Sequence, residues 1–267
     1  MPRPRKKTPE ELEALETGIS VIPEGLTKKL DLSQPKAVQV YEALRRAIII
    51  LALPPGSIIN ERMLCEQLEI SRTPLREALL RLSSENLVTV VPNSGTFVSQ
   101  IDLQTVFDGQ LVRDALEMKV VRLAAVRMTP GFERQLDFNM HQQHRLAAER
   151  DYDEFYELDE AFHSMICEFG TSQRIWKIVN EAKAQLDRVR RLAIPGPNHL
   201  DIVLAEHMAI VDGLKMRDPE AAAAGMKVHL DRVFLSIRRL IVEKRDYFAS
   251  DASEFLEEYT RSANKSA

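Results

Sequence analysis

Ser71-Arg72-Thr73-Pro74-Leu75-Arg76-Glu77-Ala78-Leu79 is the stretch from which the fold can be read. Leu75, Ala78, Leu79 and Leu82 recur at three- and four-residue spacing and make one apolar helical stripe. Pro74 suits the first turn, where its missing N–H would have no partner anyway, and Ser71 or Thr73 can cap that turn. The predicted helix buries its leucines and leaves Arg72, Thr73 and Arg76 facing outward at its N-terminal end.

Upstream, Val40, Leu44, Ala47, Ile48 and Leu51 keep helical spacing until Leu53-Pro54-Pro55-Gly56 stops the run. A second helix is expected to open with Asn60 as N-cap and to run through Leu64 and Leu68. Downstream, the β-rich segments 87–91 and 96–99 flank Pro92-Asn93-Ser94-Gly95, which reads as a hairpin. Three helices and a hairpin make a winged helix-turn-helix, assigned to 33–100.

Residues 1–32 combine Arg3, Arg5, Lys6 and Lys7 with four prolines and read as a flexible basic arm. Beyond Asp102 the pattern is helical, with breaks at Thr129-Pro130-Gly131, Gly170-Thr171, Pro195-Gly196-Pro197 and Asp218-Pro219. Six helices are expected, near 103–128, 131–149, 152–169, 172–193, 199–217 and 219–247. They form an all-α antiparallel helical bundle over 103–247, followed by a polar C-terminal tail over 248–267. The fold class is therefore mainly α, in two domains.

At 267 residues and 45% hydrophobic content the chain can bury two modest cores. It carries no apolar run long enough for a bilayer and no signal-peptide pattern, so a cytoplasmic location without membrane contact is expected. Cys65 and Cys167 lie far apart, outside any paired-cysteine motif, and read as reduced core residues. Residues 1–100 hold 13 basic and 12 acidic residues, against 23 and 28 in the remainder. Bulk charge does not announce a nucleic-acid binder, so that reading depends on where particular arginines point.

Arginine suits base reading because its planar fork can bond guanine O6 and N7 together. Arg62, at the start of the preceding helix, is placed to hold a phosphate, and Gly95 lets the wing tip approach the backbone closely. The plain alternative is a solvated helix face with Arg72 and Arg76 partnered by Glu77 or Glu66. The run from Asn60-Glu61-Arg62-Met63-Leu64 through the Ser71–Leu79 core to Pro92-Asn93-Ser94-Gly95-Thr96-Phe97-Val98 resembles the GntR family of winged helix-turn-helix repressors. The resemblance covers about 36–99. It implies contacts to double-stranded operator DNA from Arg62, Ser71, Arg72, Thr73, Arg76 and Gly95. Ser94 departs from the pattern, many members having arginine or another polar residue there.

In the second half, Asp159 and His163 share a helix face at four-residue spacing, beside the apolar stripe of Phe155, Leu158 and Phe162. His207 falls within the apolar series Val203, Ile210, Leu214, and His229 within Ala222, Met226, Val233. His207 lies eleven residues before Asp218 and His229 eleven after it, so an antiparallel pair turning at Asp218 places both at one height. Three imidazoles and a carboxylate suit Zn²⁺ best, or Ni²⁺ or Mn²⁺, with coordination positions left for an oxygen ligand. Taken singly, each histidine is equally readable as a hydrogen-bonded core residue. His141, His144 and His199 lack such a pattern and read as surface residues.

The order Asp-x-x-x-His, His, His behind this head resembles the FCD ligand-binding domain of the FadR subfamily over about 103–240. That resemblance implies metal ligation by Asp159, His163, His207 and His229, and effector contacts from Arg113 and Asn180. Arg113 is placed either to clamp a carboxylate or to pair with Glu117 one turn later. The expected function is a homodimeric, metabolite-responsive repressor with a small carboxylate effector. The rival is a metal-dependent hydrolase of a small acid, with Glu160 or Glu168 as the general base. No nucleophile elbow, P-loop or dinucleotide fingerprint supports an enzyme.

Overall fold

The computed structural model describes residues 19–20, 31, 33–193 and 198–265. Most of the basic arm and the Pro195-Gly196-Pro197 break lie outside the described residues. Two compact units emerge, one over 106–240 and one combining the chain up to 105 with 241–267.

In the first unit, α1 (Lys36–Ile49), α2 (Glu61–Gln67) and α3 (Arg72–Ser84) pack through Leu44, Ile48, Leu64, Leu75 and Leu82, all essentially inaccessible. Asn60 caps α2 as expected, its Oδ1 accepting from the Met63 N–H at 3.1 Å. Ser71 holds the N-cap position of α3 in an extended conformation, but its hydroxyl makes no capping bond. The wing is β3 (Val88–Val91) paired antiparallel with β4 (Gly95–Val98), Val91 opposite Gly95. Asn93 and Gly95 both take positive φ, 61° and 129°, as a tight three-residue turn demands.

Two features of this unit depart from expectation. β2 (Ile58–Ile59) pairs antiparallel with β4, and β1 (Ile19–Ser20), inside the stretch read as a flexible arm, pairs in parallel with β2. Two-residue strands are too short to show alternation in sequence. The stretch expected as a polar C-terminal tail over 248–267 follows a short 3₁₀ turn, Arg245–Tyr247, with an ordered return. The Ile101 N–H donates to the Tyr247 carbonyl and the Ala249 N–H to the Ile101 carbonyl, with Ile101 and Phe248 buried, before α12 (Ala252–Lys265). Phe248 and Ala252 supply the apolar anchors that a solvated tail would lack.

The second unit contains α4 (Leu103–Arg127) from 106 onward, α5 (Pro130–Glu149), α6 (Tyr152–Gly170), α7 (Gln173–Ala182), α8 (Ala184–Ala193), α9 (His199–Lys215), α10 (Pro219–Asp231) and α11 (Phe234–Glu243) as far as 240. Thr129, Asp151 and Asp218 cap α5, α6 and α10 with side-chain oxygens. The helix expected over 172–193 is interrupted at Lys183, though the Lys183 N–H to Val179 and Asp187 N–H to Lys183 bonds continue across the interruption. Gly109 of α4 backs onto this interruption, where a Cβ would lie 2.6 Å from the Ala182 carbonyl oxygen. The helix expected over 219–247 breaks at Arg232–Val233, where Arg232 bonds back three residues to His229.

The α9–α10 hairpin positions the histidines. It closes over small residues: a Cβ on Gly213 would meet the Ala222 nitrogen at 2.4 Å, and one on Gly225 the Ile210 nitrogen at 3.0 Å. This approach brings His207 and His229 to one level, at a ring-centroid separation of 4.6 Å. A Gly213→Ala substitution gains up to about 1 kcal/mol in helix propensity but must push two backbones apart. We expect a net loss of about 1–3 kcal/mol in urea unfolding, and a more stable variant would mean that the hairpin opens freely.

Candidate DNA-reading surface and buried histidine centre

On the first unit, Ser71, Arg72, Thr73 and Arg76 are all exposed at the N-terminal end of α3, with Gly95 exposed at the wing. Arg62 and Arg76 have side-chain exposures of 76% and 66% and only loose acidic neighbours, Glu66 at 3.8 Å and Glu61 at 3.9 Å. Pairs at that distance in solvent hold little energy, so both guanidiniums are available to a stronger anion. Glu66 therefore neighbours Arg62 rather than Arg72 or Arg76. Glu61 also accepts from the Thr96 hydroxyl of the wing at 3.1 Å.

In the second unit Asp159, His163, His207 and His229 are all buried, each offering a ligand atom within 4.8 Å of the others. Their outer nitrogens are engaged from behind. His163 Nδ1 lies 2.6 Å from Glu117 of α4, His207 Nδ1 2.8 Å from Gln143 Oε1 of α5, and His229 Nδ1 3.2 Å from Glu206 of α9. Gln143 is oriented by its own donation to Asn139 Oδ1 at 2.7 Å, which leaves its oxygen to accept from His207. The hydrogen bonds at His207 and His229 hold Nδ1–H outward and turn their Nε2 lone pairs inward, whereas His163 Nδ1 approaches Glu117 without a hydrogen bond.

Those inner atoms meet without enough protons between them. His163 Nε2 and His229 Nε2 are 3.0 Å apart, and His207 Nε2 is buried without a hydrogen-bond partner, 3.4 Å from Asp159 Oδ1. Arg113 reaches the edge of the group, its Nη2 3.3 Å from His163 Nε2. Phe162 stacks on His207 at 4.3 Å and fixes that ring. Burial lowers the pKa of His207, opposed by Asp159, and lowers that of His229 further with help from the neighbouring histidines. Those two imidazoles are thus held in the neutral form that ligates. Burial favours a protonated Asp159, but the Arg190 charge outweighs it and holds the carboxyl well below the usual range. A divalent cation fits this donor set, three imidazole nitrogens and one carboxylate oxygen, and would neutralise its crowded lone pairs.

Beside the four residues lies a small cavity of about 50 Å³ that opens to solvent. Arg113, Arg190 and Arg232 face it, and the acids paired with them, Glu117, Glu160, Asp187 and Glu206, stand outside its lining. Asp159 is the one acidic residue in that lining. Arg113 is paired with Glu117 at 2.6 Å, as its salt-bridge reading expected, and also lines the cavity. Asn180 is half-buried on α7 and does not line this cavity. His199, read as a surface residue, does line it, whereas His141 and His144 are exposed.

Several contributors escaped the sequence reading. Gln143, Glu206, Arg190 and Arg232 carry no motif and gain meaning only from neighbours on other helices. Lys183 is fully buried between Glu160 and Asp187, and Arg190 joins the same acids, which absorbs Glu160 into a structural network. Glu168 is exposed and accepts from Ser164. Neither expected general base stands at the centre.

Residues 36–98 match the family model described as bacterial regulatory proteins, gntR family, and 110–232 match the FCD domain. The chain is 33% identical over 224 residues to the HTH-type transcriptional repressor RspR of Escherichia coli K12, covering 84% of this chain and 98% of that protein. It is 32% identical over 200 residues to the Nta operon transcriptional regulator of Aminobacter aminovorans, covering 71% and 90%. Among solved structures, E. coli McbR/YncC superposes with a TM-score of 0.67 at 22% identity, covering 76% of this chain and 96% of that one, a likeness of fold alone. A winged helix-turn-helix followed by an FCD domain defines a class of DNA-binding transcription regulators. The chain belongs to the GntR family, whose members matched here are regulators and not enzymes. Among the described residues no helix is long and apolar enough to cross a membrane.

The buried charges set an acid limit. His207, His229, Asp159 and Glu117 all titrate lower in the folded chain than their ordinary values, Glu117 because Arg113 and His163 outweigh its burial. The unfolded chain then binds more protons as pH falls, first through the histidine range and then the carboxylate range. Stability must decline with acidity, starting near 6.5. Urea unfolding of the metal-free protein at pH 7.5, 6 and 5 should show a progressive fall in midpoint, and a flat profile would contradict the buried arrangement.

Proposed function

We propose that this protein is a metabolite-responsive repressor of the FadR subfamily, acting in the cytoplasm as a homodimer on a near-palindromic operator. Its second domain holds a divalent metal through Asp159, His163, His207 and His229, zinc being the best match and nickel or manganese the alternatives. The observation that carries this reading is the convergence of three buried imidazoles and Asp159, with His207 and His229 each hydrogen-bonded from outside through Nδ1. A bound cation would supply a positive centre able to receive a carboxylate oxygen of a small organic acid. The chain's own part is to keep His207 and His229 neutral, fix their tautomers through Gln143 and Glu206, and offer the Arg113 guanidinium to the acid. Asn180, off the cavity lining, is the weakest element of the proposed effector site.

On the head, Arg72, Thr73 and Arg76 meet base edges in the major groove, while Arg62, Ser71 and Gly95 approach the phosphate backbone. Effector binding shifts the population between head spacings that fit the two half-sites and spacings that do not.

Elemental analysis of the purified protein should find one divalent metal per chain, lost in His207→Ala. Chelation should lower the melting temperature, and metal affinity should fall below about pH 6.5 as the imidazoles protonate. A full-length protein that neither contains nor takes up metal would refute the sensor half. For the head, sites should first be selected from random duplexes. Arg76→Ala should then weaken binding to them by roughly 5- to 150-fold and relax base preference at one position, whereas Arg62→Ala should weaken all sequences alike and reduce the salt dependence. Equal binding of selected and random DNA by the wild type would end the DNA-reading proposal.

A further inference from the structure

The cavity beside the histidine centre contains a polar group that neither the metal nor the arginines account for. Tyr156 lines the cavity, is only 5% exposed, and its hydroxyl is buried without a hydrogen-bond partner. The ring is fixed: the Arg191 guanidinium lies 3.7 Å from its centroid and that of Arg190 5.1 Å. Held between helices α6 and α8, the phenol has little freedom to turn toward solvent. A buried hydroxyl left unpaired is costly and rare, and next to a cavity it marks a place where a ligand completes the bond.

We propose that Tyr156 is a specificity-determining residue of the effector site, donating its O–H to an oxygen that the effector carries in addition to the carboxylate. The ligand class is a short-chain hydroxy carboxylic acid. Burial keeps the phenol protonated, so it requires an acceptor. Beside the three arginines that would take the carboxylate, the lining offers Ser236 and His199, whose pKa burial lowers, with Phe155, Val203 and Val233, a setting for a hydroxyl and a carbon chain. Carbon chain on apolar wall, hydroxyl at Tyr156 and carboxylate at the arginines and histidine centre fill the cavity with matched groups.

The inference rests on the sensor reading above, and the experiment separates the two. Metal-loaded full-length protein is titrated calorimetrically with three matched pairs: lactate and propanoate, malate and succinate, gluconate and hexanoate. In the wild type the hydroxylated member of at least one pair should bind about tenfold tighter or better. Tyr156→Phe keeps the ring and its stacking. It should bring that ratio close to one by weakening the hydroxylated acid alone, with metal content unchanged and no fall in melting temperature. A purely structural tyrosine would leave the ratio intact. If the hydroxylated acid keeps its advantage in Tyr156→Phe, or has none in the wild type while acids still bind, the assignment to Tyr156 is overturned and the sensor reading stands. If no acid of either kind binds, both are overturned.

Discussion

Placing three imidazoles and a carboxylate together out of water imposes a condition on almost every helix of the second unit. An unsatisfied polar atom at such depth costs on the order of 1–3 kcal/mol, so each must be met by another buried group, which then needs a partner of its own. Glu117 comes from α4, Gln143 from α5, Glu206 from α9 and Arg190 from α8, and Gln143 is itself held by Asn139. The apolar cluster of Val121, Leu136, Phe162, Ile210 and Ala222 packs the same helices. It gives the domain its cohesion, while the polar centre specifies which faces meet. A cation at the centre of the four side chains would complete that arrangement.

The same logic explains why the arginines face the cavity. Arg113, Arg190 and Arg232 each have a carboxylate on the far side from the cavity, which lowers the cost of burying the guanidinium without screening it from a ligand. Arg232 shares Glu206 with His229, and Arg190 shares Asp159 with His207, so the ligand-facing charges and the histidines are joined through common acids. A ligand drawing on these arginines alters the support of the imidazoles at the same time. In the function proposed above, that sharing would link effector and metal occupancy.

The two halves differ in how openly they carry their chemistry. The head reads DNA with local features: a helix whose apolar stripe is contiguous in sequence, caps within three residues and a turn closed by Gly95. Its outward arginines follow from helical periodicity as soon as the leucines are assigned inward. The sensor domain is assembled from residues up to 120 positions apart, as in the Gln110 side chain donating to the Leu230 carbonyl.

The sequence by itself therefore determined the three helices and wing of the head, the outward faces of Arg72 and Arg76, and the meeting of Asp159, His163, His207 and His229. That meeting was legible because four-residue spacing on one helix and equal offsets about Asp218 translate directly into geometry. Tertiary structure alone decided the rest. The interruptions at Lys183 and Arg232 lack a proline or glycine to announce them; Gly109 of α4 packs closely at the first, and Arg232 pairs with Glu206 at the second. Phe248 is buried against Ile101 by contacts remote in sequence, and Arg190, His199 and Tyr156 became cavity residues only through helices brought beside them. Local periodicity fixes which face of an element is apolar; long-range packing fixes which polar residues share the space that remains.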